Sequence, residues 1–238
     1  MLDFLAVGDV MLDVRLPSSP TEARQHGVIS NVLGGSAVNA ARAAARLGAR
    51  AAVAGAVGDD AIGRALEVEL EAAGIESLLS RVEAASTGTA VYSRDSVIAD
   101  RGANALFVPD RLPEARVTLV SGYLPEGARR RALSLASGLR AVDLQGVLAD
   151  ATGADVILGP ELDLDALASN DRVVVSTRGS AGAVAAAHGE RASVAPPRVL
   201  RGSPVGAGDA FAAGFLLALA RGIPLQEALV RGCEAALT

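Results

Sequence analysis

Near its C-terminus the chain reads SPVGAGDAF from Ser203 to Phe211, and an apolar run from Ala210 to Ala220 follows directly. Small residues ahead of an unbroken apolar stretch describe a tight loop that opens a helix. Gly206, Ala207 and Gly208 leave their backbone N–H groups unobstructed, and a helix N-terminus adds about half a positive charge behind them. Such a loop reads as an anion cradle. A single carboxylate, Asp209, stands inside it. An acid is not the anion such a cradle binds, so Asp209 is better read as a proton acceptor beside a bound phosphate, and the pairing points to phosphoryl transfer. The competing reading is a helix-start turn with Asp209 as its cap.

Composition narrows how such chemistry is done. All 22 basic residues are arginines. Without lysine there is no Walker A loop, no protein-kinase strand lysine and no Schiff base to pyridoxal phosphate. Arginine, backbone amides and metal must serve instead. Only His26 and His188 are present, which excludes a histidine-rich metal site, and the lone Cys233 excludes an intrachain disulfide and reads as a buried small residue. A net charge of −5 and 3% aromatic residues argue against nucleic acid as partner. The opening MLDFLAVGDVMLD lacks a basic leader region, and the longest apolar run falls short of the roughly 20 residues that span a bilayer. A cytoplasmic protein with no membrane partner is expected.

These residues need a scaffold. Apolar runs at Phe4–Val7, Ala51–Val57, Val117–Ser121, Val156–Leu158 and Val173–Ser176 read as buried strands. Helical spacing marks Ala37–Leu47, Ala61–Ala73, Glu126–Ser137 and Leu162–Ala168, with two closing helices at Asp209–Arg221 and Leu225–Ala236. Strands alternating with helices imply a mainly parallel sheet covered on both faces, with ligands beyond the carboxyl ends of the strands. Two stretches break the rhythm: polar residues 15–33, and residues 87–107, whose alternation suggests two short antiparallel strands. Together they read as a small flap, or lid, on a single domain spanning 1–238.

Two glycine-rich motifs at opposite ends of the chain resemble the signatures of the ribokinase/PfkB carbohydrate kinase family. They are GGSAVNAARAAARLG (Gly34–Gly48), continued by AGAVGDDAIG (Ala54–Gly63), and SPVGAGDAFAAGF (Ser203–Phe215). GDVMLD, TGTAVYS (Thr87–Ser93), RGAN (Arg101–Asn104) and STRGSAG (Ser176–Gly182) support the match. The resemblance implies a ribokinase-like three-layer α/β/α sandwich with a shortened β-flap, and ATP-dependent phosphorylation of a sugar or sugar-like alcohol with Mg2+. It implies that Asp13, Gly34, Gly35 and Asn39 hold sugar hydroxyls, that Arg101 faces the substrate, that Asp209 is the base, and that Gly206–Gly208 form the anion hole. Thr177, Gly179 and Gly182 would border the nucleotide, and a homodimer through the lid would be in keeping.

The residue chemistry agrees, because Asp13 and Asn39 together accept and donate to hydroxyls. Asp209 at a helix N-terminus is expected to have its charged form favoured. Three alternatives stay open: Asp9 in place of Asp13, Asn39 as a helix residue bonded to backbone, and Arg101 as a solvated loop charge. The chain is shorter than typical members, with a compressed middle at Ala141–Val156. It reads GPELDLD (Gly159–Asp165) where relatives organise magnesium, leaving Glu161 and Asp163 as metal candidates. Relatives continue past the position of Thr238 into a segment that walls the adenine pocket and a monovalent-cation site. The other readings are a catalytically impaired member that binds a sugar or nucleoside, and a nucleoside kinase. A dinucleotide oxidoreductase fits poorly, since GDVMLD replaces GxGxxG after the first strand.

Overall fold

The structure is a computed structural model and describes residues 1–16, 26–146, 150–167, 169, 171–187, 189–195 and 205–237. Residues 17–25 of the expected flap, Ala168, His188, Ser203, Pro204 and Thr238 lie outside the described residues.

The strands are β1 (Leu2–Val7), β2 (Met11–Arg15), β3 (Ser30–Gly34), β4 (Ala51–Gly58), β5 (Glu76–Val82), β6 (Gly88–Tyr92), β7 (Val97–Asp100), β8 (Ala115–Ser121), β9 (Leu139–Asp143), β10 (Val156–Pro160), β11 (Val173–Thr177), β12 (Ala183–Ala187) and β13 (Glu190–Val194). The helices are α1 (Ser36–Arg46), α2 (Ala61–Ala72), α3 (Glu126–Leu135), α4 (Leu164–Leu167), α5 (Ala207–Leu219) and α6 (Leu225–Ala235).

Nine strands form one sheet in the order β13-β12-β11-β10-β9-β8-β1-β4-β5, parallel throughout except for the antiparallel β12 and β13 at one edge. Buried strands alternate their side chains between two apolar layers. Phe4 and Ala6 of β1 face a core shared with α1, α5 and α6, whereas Leu5 and Val7 face one shared with α3. The result is a ribokinase-like α/β fold, as expected. Alanines fill the inner face of α1, which lets this helix lie close to α5.

The flap is a sheet of four strands where two were expected, ordered β3-β2-β6-β7, with β2 and β6 parallel and the other pairs antiparallel. Asn104 and Asp60 are among the side chains that tie it to the main body. Asn104 receives the Val10 N–H (3.0 Å) and donates to the Val10 and Arg101 carbonyls (2.9 and 3.1 Å). Asp60 caps α2 through the Gly63 N–H (2.8 Å) and accepts the Thr87 N–H and hydroxyl (both 2.7 Å) just ahead of β6.

β5, β9, β12 and β13 were absent from the sequence reading. AVAAA in β12 is by composition a helix former, and pairing with β11 and β13 overrides that preference. β9 offers only Ala141, Val142 and Asp143 as buried residues, too short a run to stand out.

Candidate active site

The parallel strands all end on one side of the sheet, where β1, β8, β9, β10 and β11 close on Val7, Ser121, Asp143, Pro160 and Thr177. α5 begins above this row. Gly206 precedes it in the left-handed region (φ 87°), and no side chain caps that end, so the first-turn amides face outward. The helix starts at Ala207, two residues before the expected Asp209, which puts the carboxylate inside its first turn.

Asp209 meets the early motif directly. Asn39, in the second turn of α1, donates from Nδ2 to Asp209 Oδ2 at 3.1 Å across 170 positions of sequence. Asn39 is therefore bonded to the carboxylate by its side chain. Asp13 lies on the other side of Asn39, and Gly34 separates them: a Cβ there would stand 2.7 Å from Asp13 Oδ2 and 3.5 Å from Asn39 Oδ1. Asp13 is fully buried, and neither of its oxygens has a hydrogen-bond partner among the described residues. Its nearest cation is Arg15, with Nη2 at 3.7 Å from Oδ2. Burial raises the Asp13 pKa, opposed by Arg15 and Arg42. Two buried acceptors without donors are unusual in a folded protein.

Asp9, unlike Asp13, has a side-chain donor: Arg101 Nη2 donates to Asp9 Oδ1 at 2.7 Å. Arg101 is thus paired within the crevice wall and is not a free loop charge. Gly35 (φ 97°) follows Gly34 at the start of α1 and packs on the Asp9 carbonyl.

Sequence reasoning missed Gln145 and Asp143. Gln145 Nε2 donates to Asp209 Oδ1 at 3.0 Å, so each oxygen of the carboxylate carries one amide donor. Asp143 accepts the Gln145 N–H at 3.1 Å and is buried. The usable signal was the AVDLQG run, an apolar pair ending in an acid and then a glycine three residues on, as at the end of a strand whose carboxyl terminus faces a ligand.

Burial pushes the Asp143 pKa up to about 6. Asp209 is held well above the ordinary carboxylate range, by burial first and then by the neighbouring Asp143 charge, despite the Asn39 and Gln145 donors. This reverses the expectation from the helix N-terminus: desolvation and a like charge outweigh the helix dipole. The site therefore holds a more basic carboxylate than a solvent-exposed one. Tyr92 and Tyr123 feel the same field; burial and then Asp13 and Asp209 push Tyr92 up to about 12.

Beside Asp209 opens a cavity of about 260 Å3 whose lining includes Tyr123, Pro160, Thr177, Gly208, Phe211 and Ala212. Of the expected nucleotide-side residues only Thr177 lines it among the described residues. Gly179 faces open space (φ 54°), and Gly182 has a packing reason to be glycine, since a Cβ would stand 1.9 Å from the Val194 carbonyl oxygen. Asp163 is committed to capping α4, accepting the Asp165 and Ala166 N–H groups at 3.0 and 3.1 Å. Glu161 is exposed on left-handed backbone (φ 52°). Among the described residues no group of three or more His, Cys, Asp or Glu side chains is placed to hold a metal. No helix among them is long and apolar enough to cross a membrane. Cys233 is buried, as expected.

A crevice at the carboxyl edge of a parallel sheet, with an uncapped helix start, an acid inside it and unpartnered hydroxyl acceptors opposite, defines a phosphotransferase that acts on an alcohol group. The sequence pattern of the pfkB family of carbohydrate kinases matches residues 1–169 and 159–238, and the chain belongs to that family. It is 32% identical over 258 residues to an ATP-dependent ribose-1-phosphate kinase of Halopiger xanaduensis, covering 91% of this chain and 84% of the relative. It is 26% identical over 294 residues to a 5-dehydro-2-deoxygluconokinase of Geobacillus thermodenitrificans, covering 99% and 86%. The crystal structure of ribokinase from Thermotoga maritima superposes with a TM-score of 0.85 at 22% identity, covering 100% of this chain and 92% of that one. The protein is a kinase of the carbohydrate kinase family.

Proposed function

We propose that the protein transfers the γ-phosphoryl group of ATP to a hydroxyl of a sugar or sugar derivative, with Asp209 as the base. The observation that carries this is the meeting of Asp209, Asn39 and the unpartnered Asp13 in one crevice at the start of α5. Asp13 would accept two hydroxyl hydrogens of the acceptor, and Arg15 would donate to the same hydroxyl oxygens. Asn39 links the two ends of the site, so the hydroxyl to be phosphorylated would lie against Asp209. As the acceptor oxygen bonds to the γ-phosphorus, its proton passes to the Asp209 carboxylate and ADP leaves with the electron pair of the broken P–O bond. The raised basicity of Asp209 favours this transfer, and the loose transition state asks mainly for alignment.

The residues fit a nucleotide. The amides around Gly206–Gly208 would face phosphoryl oxygens, and the cavity bordered by Thr177, Pro160 and Phe211 would take the rest of the molecule. Magnesium would arrive with the nucleotide phosphates and supply charge neutralisation there; Asp143 and Asp209 are the carboxylates at that end of the crevice.

The named relatives act on different acceptors, a sugar phosphate and a keto-deoxy sugar. A panel of sugars, sugar phosphates and nucleosides, read by ADP release with magnesium and ATP, identifies the acceptor. With that acceptor Asp209→Asn is expected to lower kcat by about 10²- to 10⁴-fold, the range of a lost general base. Full activity in Asp209→Asn, or no ADP release from any acceptor, refutes the proposal.

A further inference from the structure

Gln145 stands on backbone that side chains rarely adopt, φ 49°, two residues past the end of the sheet's β9 strand. Left-handed geometry at a residue other than glycine persists only where its surroundings hold it. Here they do: its N–H donates to Asp143 Oδ1 (3.1 Å) and its carbonyl accepts the Tyr123 hydroxyl (3.4 Å).

The amide end is equally determined. A serine hydroxyl has one donor and two acceptor positions. Ser121 Oγ accepts from Ser36 Oγ (3.0 Å) and from the Tyr123 N–H (3.3 Å), so its own hydrogen is left for Gln145 Oε1 at 3.2 Å. With its oxygen fixed on Ser121, the amide must turn its NH2 toward Asp209, and Nε2 lies 3.0 Å from Oδ1. The cavity beneath, lined by Ser36, Ser121, Asp143, Gln145 and Asp209 among others, measures about 10 Å3, room for one water at most. On this side there is no room for solvent to take the amide's place, whereas on the other Gln145 and Asp209 border the cavity of about 260 Å3.

We propose that Gln145 is a positioning residue for Asp209: anchored through Ser121 and Ser36, its amide fixes the rotation of the carboxylate and leaves the free lone pairs aimed at the acceptor hydroxyl. The inference rests on Asp209 being the base. A neutral donor suits the task, because an arginine in its place would hold the carboxylate as an anion and weaken it as a proton acceptor.

The test is the pH profile of kcat in Gln145→Ala and in Gln145→Glu, which keeps the side-chain shape, beside Asp209→Asn. Removing the donor destabilises the Asp209 anion, so Gln145→Ala is expected to lower kcat about 10- to 100-fold, change the KM for the acceptor less than about threefold, and move the acid limb up by about one pH unit. Gln145→Glu adds a like charge and moves the limb further the same way. Ser121→Ala gives a smaller shift of the same sign. A folded Gln145→Ala enzyme with an unmoved acid limb overturns the inference, whatever its kcat. If Gln145→Ala does not fold, an unmoved limb in both Gln145→Glu and Ser121→Ala overturns it equally. Activity in Asp209→Asn would instead remove the base reading beneath it.

Discussion

Adding one methyl group at Gly34 tests the substrate side of the crevice without touching a charged residue. The backbone of Gly34 is ordinary, so alanine brings no conformational penalty, but its Cβ would stand 2.7 Å from Asp13 Oδ2 and 3.2 Å from Asp13 Cγ. Ordinary contacts begin near 3.4 Å. The carboxylate must therefore retreat by roughly 0.7 Å, more than a hydrogen bond of good geometry tolerates. Among the described residues Asp13 accepts no hydrogen bond, and the Arg15 guanidinium at 3.7 Å is its ion-pair partner. If it loses one charge-assisted hydrogen bond to the acceptor, at about 1.5–3 kcal/mol, kcat/KM for the acceptor falls about 10- to 150-fold. The loss should sit mainly in KM for the acceptor, with KM for ATP nearly unchanged, because the nucleotide side lies beyond Asp209. Steady-state kinetics with both substrates varied, together with a melting curve showing Tm within a few degrees, decide the matter. A Gly34→Ala enzyme that keeps kcat/KM within about threefold would show that Asp13 does not hold the acceptor.

Two further outcomes concern charge and architecture. Asp143, whose carboxyl is pushed up to about 6 by burial, is a cost to the fold once ionised, and that cost grows as pH rises from its ordinary value of 3.8 through 6. Asp143→Asn should therefore raise stability above pH 6 by on the order of 2–3 kcal/mol, with no gain near pH 4, as read by denaturant midpoints. It should also move the acid limb of kcat to lower pH, because Asp209 loses a neighbouring negative charge. Burial works against the charge of Asp60, but the N–H groups of Thr87 and Gly63 and the Thr87 hydroxyl hold its pKa below the ordinary range. Asp60→Ala removes a helix cap and strands the Thr87 donors, an expected loss of about 2–4 kcal/mol and a fall in Tm of roughly 4–16 °C. The deficit should shrink as the pH drops below the ordinary carboxylate value, where the wild-type carboxylate itself becomes protonated.

What the chain's order of residues settled by itself was local. Buried-strand runs such as FLAV and VVVST, the helical spacing of α1 and α2, and the glycine-lined opening of α5 carry their own signals, because apolar periodicity and backbone freedom are properties of neighbouring residues. The same holds for the residue types at Asp13, Asn39 and Asp209. What tertiary structure decided is everything that depends on who stands next to whom across the sheet. AVAAA became a strand because β11 and β13 flank it. Arg101 pairs with Asp9, and Asp13 accepts no hydrogen bond among the described residues. Asp163 was spent on a helix cap. Gln145 reached Asp209 only because β9 ends beside α5, and that same burial turned the expected sign of the Asp209 shift. Desolvation and long-range pairing are set by the folded surroundings of a group, and no reading along the chain contains them.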